Sequence, residues 1–453
     1  MIRLPFPRNP WSLAGAVIAT LSAILFLVVF FLDVLGLHTN PYLGMVFFLA
    51  LPGIFIFGLL LIPIGAWRER RRVQAGKGPF HWPTFDLNNV RQRSFLVFIA
   101  VITVVNLVIV SLAAYSGIEY MDSVKFCGQV CHTVMQPEYS AYQDSAHSRV
   151  ACVQCHIGPG ASWFVKSKLS GARQVLAVAL GTYSRPIASP VHNLRPARET
   201  CEQCHWPEKF HGDIVRVVHD YADDEANTES TTTLNVHVGG GSDRLGTATG
   251  IHWHMNLANR IEYVATDDKR QVIPYVKLTD RFGNVREYQV EGVTPADLAK
   301  GEHRVMDCVD CHNRPAHPMD PTPEKAVNRA MAIGEMPKTL PFIKREATAA
   351  LKEKYASATD AVAAIDARLR EFYRTKYNAV YMSRRQEVEK AVSATEQLYQ
   401  RNVFPQMNVT FGTYVNNIGH MDFPGCFRCH DGSHTSKDGK TIEQGCDLCH
   451  SIQ

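Results

Sequence analysis

Residues 127–156 read CGQVCHTVMQPEYSAYQDSAHSRVACVQCH, a stretch bounded by two Cys-Cys-His groups with Met135 and His147 between them. Working outward from Cys127/Cys131/His132 and Cys152/Cys155/His156, the grouping recurs at Cys201/Cys204/His205, Cys308/Cys311/His312, Cys426/Cys429/His430 and Cys446/Cys449/His450. All 12 cysteines are consumed, and a histidine follows every pair at once. A disulfide framework has no use for that histidine, and zinc ribbons pair CxxC knuckles without it. The pattern is that of c-type haem attachment, in which each cysteine forms a thioether and the histidine ligates iron. Six covalently bound haems c are therefore expected, the first on a motif with three residues between its cysteines where the others have two.

The chain of 453 residues is long enough for several domains, and most of the excess in its 46% hydrophobic content lies before residue 120. A net charge of +4, from 47 basic and 43 acidic residues with no long basic stripe, argues against nucleic acid as a partner. Leu13 to Leu35, Tyr42 to Trp67 and Phe95 to Tyr115 are each apolar over the ~20 residues that a helix needs to cross a bilayer. The first exceeds the apolar run of a signal peptide and lacks a cleavage site, so it reads as retained. Arg3 and Arg8 precede it, and Arg68, Arg70, Arg71, Arg72, Lys77, Arg91 and Arg93 follow the second span, whereas His38 to Pro41 contains no Lys or Arg. The positive-inside rule puts the N-terminus and the 68–94 loop in the cytoplasm, and three crossings deliver residue 120 to the periplasm, where haem c is attached. The expected location is a bacterial inner membrane with a periplasmic haem domain.

From Met121 the sequence resembles the NapC/NirT family of membrane-anchored cytochromes c, the NrfH-like group, on CGQVCH with Met135, SAHSRVACVQCH, CEQCH and CVDCHNRPAH. The resemblance implies electron transfer from membrane quinol to periplasmic redox partners. It also implies a methionine ligand on the first haem, matched by Met135, but the longer first motif and the three-residue step from His132 leave His132 and Met135 as alternatives. His147 and His317 match distal iron ligands of the family, upstream of the second motif and after the fourth; His211 stands in a similar relation to His205. Residues 160–180, GASWFVKSKLSGARQVLAVAL, place Val165, Leu169, Ala172 and Leu176 on one helical face and Lys166, Ser170 and Arg173 on another, as suits an interfacial helix. In NrfH-like proteins this segment borders the quinol pocket, which assigns Lys166, Lys168 and Gln174 here. Gln174 replaces the family's acid and cannot accept a proton, so Asp144 or Glu138 is expected to serve, or water.

Between the third and fourth motifs, Arg260 to Val290 is rich in β-branched and aromatic residues broken by polar turns, the pattern of a small antiparallel sheet. Of His237, His252 and His254 before it, one is expected to cap a haem from a distance, with His254 and His237 as the alternatives, whereas His219 and His303 read as ordinary histidines. Pro323 to Arg401 carries apolar residues at helical spacing and reads as two or three helices. His420 and His434 flank the fifth motif and are expected to ligate iron.

The fold class expected is mixed: three N-terminal transmembrane helices, then a helical and irregular multihaem domain with a small β insertion and a helical segment. The boundaries are 1–93, a membrane hairpin with a basic loop; 94–120, the third anchor helix; 121–215, the core with three haem motifs; 216–305, the β insertion; 306–321, the fourth motif; 322–401, the helical segment; and 402–453, a two-haem module. The expected activity is that of a menaquinol-oxidising cytochrome delivering electrons to periplasmic cytochromes or a reductase, alone, as a homo-oligomer or in a membrane complex. The layout resembles the larger ImcH-type inner-membrane cytochromes. Alternatives are a subunit dedicated to a nitrite or nitrate reductase, an electron wire without quinol chemistry, and a quinone reductase running in reverse.

Overall fold

The computed structural model describes residues 9–34, 51–76, 86–130, 132–191, 194–210, 212–241, 249–256 and 258–453. The chain divides into two compact units, one of residues 1–122 with 156–176 and the other of residues 123–155 with 177–453.

The first unit begins with α1 (Pro10–Val34), α2 (Leu51–Gln74) and α3 (Val90–Asp122). Within the described residues, α2 and the Pro10–Val28 stretch of α1 are long and apolar enough to cross a membrane. The sequence explains how closely these two helices pack. A β-carbon added at Gly58 would lie 2.7 Å from the Ala19 amide nitrogen, and one at Gly15 would lie 2.6 Å from the Gly58 carbonyl oxygen. The Ser12 hydroxyl crosses the seam to donate to the Ile62 carbonyl at 2.8 Å. Small residues and a bridging hydroxyl are how helices associate where lipid removes the hydrophobic drive. On the 33-residue α3, Phe95, Phe98, Val104 and Leu112 are exposed, an apolar surface unsuited to water.

The second unit starts with a π-helical turn, Phe126–Val130, leading into α4 (His132–Gln143). This turn accommodates the long first motif: with i→i+5 periodicity, a sixth residue comes beneath the first, as the fifth does in the α-helical turn of an ordinary CxxCH. Gly128 is required there because an added β-carbon would enter the Tyr139 ring. Next come α5 (Cys152–His156), α6 (Ala161–Leu180), whose first part belongs to the other unit, and α7 (Ala197–Cys201).

Eight strands follow: β1 (Ile214–Tyr221), β2 (Glu229–Val236), β3 (Arg260–Ala265), β4 (Tyr275–Thr279), β5 (Val285–Val290), β6 (Glu302–Val305), β7 (His434–Ser436) and β8 (His450–Ile452). The expected antiparallel sheet is present as β3, β4 and β5, in register Val264 to Tyr275 and Val276 to Tyr288. It is wider than the sequence suggests, with the order β6-β3-β4-β5-β7, and a second sheet runs β1-β2-β8. The last strand of each comes from beyond residue 430, so the insertion and the C-terminal motifs are hydrogen-bonded into common sheets.

The helices α8 (Pro295–Lys300) and α9 (Cys308–Cys311) both begin with capping boxes, Thr294 with Asp297 and Asp307 with Asp310. The segment expected as two or three helices forms five: α10 (Pro323–Ala332), α11 (Ile343–Lys352), α12 (Ala358–Lys376), α13 (Asn378–Ser383) and α14 (Arg385–Asn402). Their buried core includes Met331, Leu340, Ile343, Ile365, Leu369, Tyr373, Val388 and Leu398. The extra breaks fall at Tyr377 and Arg384, which leave helical geometry without a glycine or proline to announce it.

Candidate functional site

From the second motif onward, the motifs lie on short turns rather than within long helices, so side chains between the cysteines are free to join one motif to the next. In the fourth motif, Asp310 accepts from the Tyr263 hydroxyl at 2.5 Å and from Arg304 Nε at 3.2 Å. Its carbonyl accepts from Arg428 Nη2 of the fifth motif at 2.6 Å, and Arg428 also donates to the carbonyls of Gly425 and Arg270. Asp307 accepts from the Ala197 amide at 2.9 Å and so ties the turn before the third motif to the fourth. Burial, followed by the Asp310 carboxylate, raises the Tyr263 phenol far above its ordinary range, which keeps it a donor.

The cysteines carry this order along the chain. The sulfurs of Cys127 and Cys152 are within hydrogen-bond reach of each other, as are those of Cys201 and Cys308. Cys155 lies in the field of Cys201 and Cys204, Cys429 in that of Cys311, and Cys449 in that of Cys426. Successive motifs are thus spatial neighbours.

Among the described residues, four motif histidines face a second histidine. Ring centroids are 6.0 Å apart for His147 and His205, 6.3 Å for His252 and His312, 5.8 Å for His254 and His430, and 6.1 Å for His420 and His450. An ion bonded to an imidazole nitrogen on each side at about 2 Å holds the two ring centroids roughly 6 Å apart, so these residues fit a haem iron. The hydrogen bonds agree. Nδ1 of His147, His252, His254 and His430 meets the carbonyls of Pro315, Val238, Ile251 and Glu443 at 3.1, 3.0, 2.7 and 2.6 Å. A proton donated there leaves Nε2 as the basic nitrogen, the usual arrangement of a metal-ligating histidine. Burial pushes His254 and His312 below the usual imidazole range, which favours the neutral form that binds metal.

His147, expected near the second motif, therefore stands against the third, and His420, expected beside the fifth, stands against the sixth. His252 was passed over in the sequence in favour of His237. Its signal is that it shares GIHWHM with His254, where a single 3₁₀ turn (Ile251–Met255) presents both rings to different motifs. His237 instead pairs Nδ1 with Asp213 at 3.0 Å. His317 sets Nδ1 2.9 Å from the Glu138 carbonyl. His434 corrects the sequence expectation: it is fully buried in β7 with Nδ1 2.9 Å from Asp431 and Nε2 2.6 Å from the Ile273 carbonyl. Both ring nitrogens are occupied, so neither is left for iron.

His156 ends α5 in an exposed position, and Met135 is half-buried one turn beyond His132 on α4. Cys131 and His211 lie outside the described residues. In the first unit, Lys168 Nζ is 3.6 Å from Asp122 Oδ1 and 4.7 Å from the Phe164 ring centre. Lys166 Nζ lies 4.4 Å over Trp163, and Gln174 donates to Ser170 Oγ at 3.3 Å on the exposed surface. The two acids expected as proton acceptors are engaged elsewhere: Glu138 pairs with Arg314 at 3.0 Å and Asp144 with Arg401 at 3.0 Å. Asp122, five residues before Cys127, was not singled out in the sequence.

Residues 89–195 match the model of the NapC/NirT cytochrome c family, N-terminal region. The chain is 42% identical over 448 residues to cytochrome c-type protein ImcH of Geobacter sulfurreducens, covering 98% of this chain and 88% of that protein. Cytochrome c-type protein NrfH of Wolinella succinogenes is 27% identical over 122 residues, 26% of this chain and 68% of that protein. No solved structure matches.

Proposed function

The chain belongs to the NapC/NirT family of c-type cytochromes, as a relative of ImcH, and from that premise we propose that it is a three-span, inner-membrane hexahaem quinol dehydrogenase. In this reading it oxidises menaquinol and passes electrons to periplasmic cytochromes or a reductase. When bound, the haems supply one-electron carriers, each held by its two cysteines and motif histidine.

The observation that carries the quinol reading is the Lys168–Asp122 pair, formed between the helix after the second motif and the end of α3. Quinol oxidation releases a proton with each electron, so a proton acceptor beside the ring is needed, and a carboxylate suits the task. Asp122 supplies that group where Gln174 cannot. Lys168 forms an ion pair with that carboxylate and offers a donor to the quinol oxygen, and the Phe164 ring borders Lys168 with apolar surface. The exposed Leu169, Val175, Leu176 and Leu180 suit a helix seated in the bilayer surface, the depth at which quinol arrives.

The test is stopped-flow mixing of the detergent-solubilised protein with a reduced menaquinone analogue, following haem absorbance. Wild type is expected to reduce rapidly, and Asp122→Asn to slow reduction about 100-fold or more, within the range for loss of a general base. Dithionite should reduce both alike. Wild-type protein that takes no electrons from quinol refutes the dehydrogenase reading; Asp122→Asn at the wild-type rate refutes the role of Asp122.

A further inference from the structure

We propose that His252, supplied by the β insertion, is the distal iron ligand of the haem carried by Cys308, Cys311 and His312. The inference rests on the haem-attachment reading of the motifs and goes beyond it, since the fourth motif has its own downstream candidate in His317.

Three observations select His252. Its ring is 6.3 Å from that of His312, the separation of two imidazoles sharing one iron, and the planes differ by only 9°. The ring is fixed from behind: Nδ1 lies 3.0 Å from the Val238 carbonyl, which also accepts from the His252 amide, and the Phe210 ring packs against it edge to face with its centre 4.9 Å away. The backbone that presents it is itself closed. Ile251 donates to the His237 carbonyl, Gly240 and Thr249 exchange both backbone hydrogen bonds, and Gly239 and Gly250 take positive φ where added β-carbons would strike backbone. A chain closed this firmly delivers one ring at one angle. His317 instead follows Arg314, whose guanidinium holds its carbonyl at 2.9 Å, and its ring is anchored on Glu138 of α4.

The ring angles sort the four facing pairs into two spectroscopic classes. Near-parallel imidazoles, as in His252/His312 at 9° and His420/His450 at 20°, donate π density along the same direction and split the iron orbitals, giving a rhombic low-spin ferric signal. Crossed rings, as in His147/His205 at 69° and His254/His430 at 84°, leave those orbitals nearly degenerate and give a highly anisotropic one. The fourth haem therefore belongs to the rhombic class.

The experiment uses full-length oxidised protein in detergent, with a pyridine haemochrome assay, electron paramagnetic resonance and near-infrared magnetic circular dichroism on His252→Met, His252→Ala and His317→Ala. With His252→Met, the haem-to-protein ratio should stay at the wild-type value, one haem equivalent of rhombic signal should disappear, and one methionine-to-iron charge-transfer band should appear. With His252→Ala, one haem equivalent should turn high-spin. A structural role for His252 would produce no methionine band. A wild-type ratio below six overturns the attachment reading on which the inference rests. A full ratio with every low-spin component unchanged in both His252 variants overturns the assignment, as does loss of that rhombic equivalent in His317→Ala but not in His252→Ala.

Discussion

Replacing Glu138 with glutamine tests how the haem core is joined to the tail of the fourth motif. Glu138 and Arg314 form a two-pronged pair at 3.2 and 3.0 Å, with side chains only 11% and 9% exposed. Arg314 also stacks on Tyr414 at 4.2 Å and holds the His317 carbonyl at 2.9 Å, so it cannot swing out to water without surrendering both contacts. Burial, with the Glu138 carboxylate close by, keeps the Tyr414 phenol near 12, neutral and unable to replace the lost anion. Glu138→Gln preserves shape but leaves a buried guanidinium without a counter-charge, at a cost of about 3–5 kcal/mol. Because about 1.4 kcal/mol corresponds to a tenfold change, amide exchange in α4 and in residues 313–318 should quicken by about 100-fold or more. Glu138→Leu with Arg314→Met removes both charges and should recover most of the loss. Acceleration under fivefold in the single variant, or a double variant as labile as the single one, refutes the reasoning.

Two further perturbations address separate parts of the molecule. Gly128→Ala places a methyl inside the Tyr139 ring and should displace it, breaking the 3.1 Å Gln129–Tyr139 hydrogen bond and distorting the π turn; the haem-to-protein ratio should fall by one equivalent, and adding Tyr139→Ala should restore it. Lys344 is buried in the helical core with Nζ donating to the Glu324 carbonyl at 2.8 Å, and burial lowers its pKa from 10.5 to about 8. Because the native state gives up this proton first, the penalty is in full force below about pH 8, shrinks as pH rises, and is gone above about 10.5. Lys344→Met should therefore stabilise the helical segment at pH 7 by about 2 kcal/mol, the ~3 kcal/mol of the shift less the lost hydrogen bond, and flatten stability between pH 8 and 10.5; exchange protection in residues 323–402 that is unchanged at pH 7 counts against this.

Two helices long and apolar enough to cross a membrane, the central sheet and the c-type cytochrome family were legible because each is written in local order. Apolar length, two-residue alternation and Cys-Cys-His spacing need no knowledge of distant partners. The flanking strands β7 and β8 were not, since three residues such as His434–Ser436 become a strand only when β5 offers an edge, and nothing in HTS announces it. Asp122 was missed because it lies at the end of an apolar helix, where a carboxylate ordinarily just meets the interface; only the approach of Lys168 marks it out.

The histidines show most sharply what spacing can and cannot decide. His420 and His434 flank the fifth motif almost symmetrically, yet one faces His450 across 6.1 Å and the other spends both nitrogens inside β7. What separates them is the facing histidine of the one and the two hydrogen-bonded ring nitrogens of the other. A carbonyl behind Nδ1 and a motif histidine about 6 Å away suit a ligand, as at His147, His252 and His254, whereas acceptors on both ring nitrogens make a structural clamp, as at His434. Three of the four facing histidines lie far in sequence from the motif histidine they meet, so these facings exist only once the tertiary structure has formed. The β insertion has to fold onto the fourth and fifth motifs before His252 and His254 reach them, and the sheets it shares with the C-terminal strands are what hold it there.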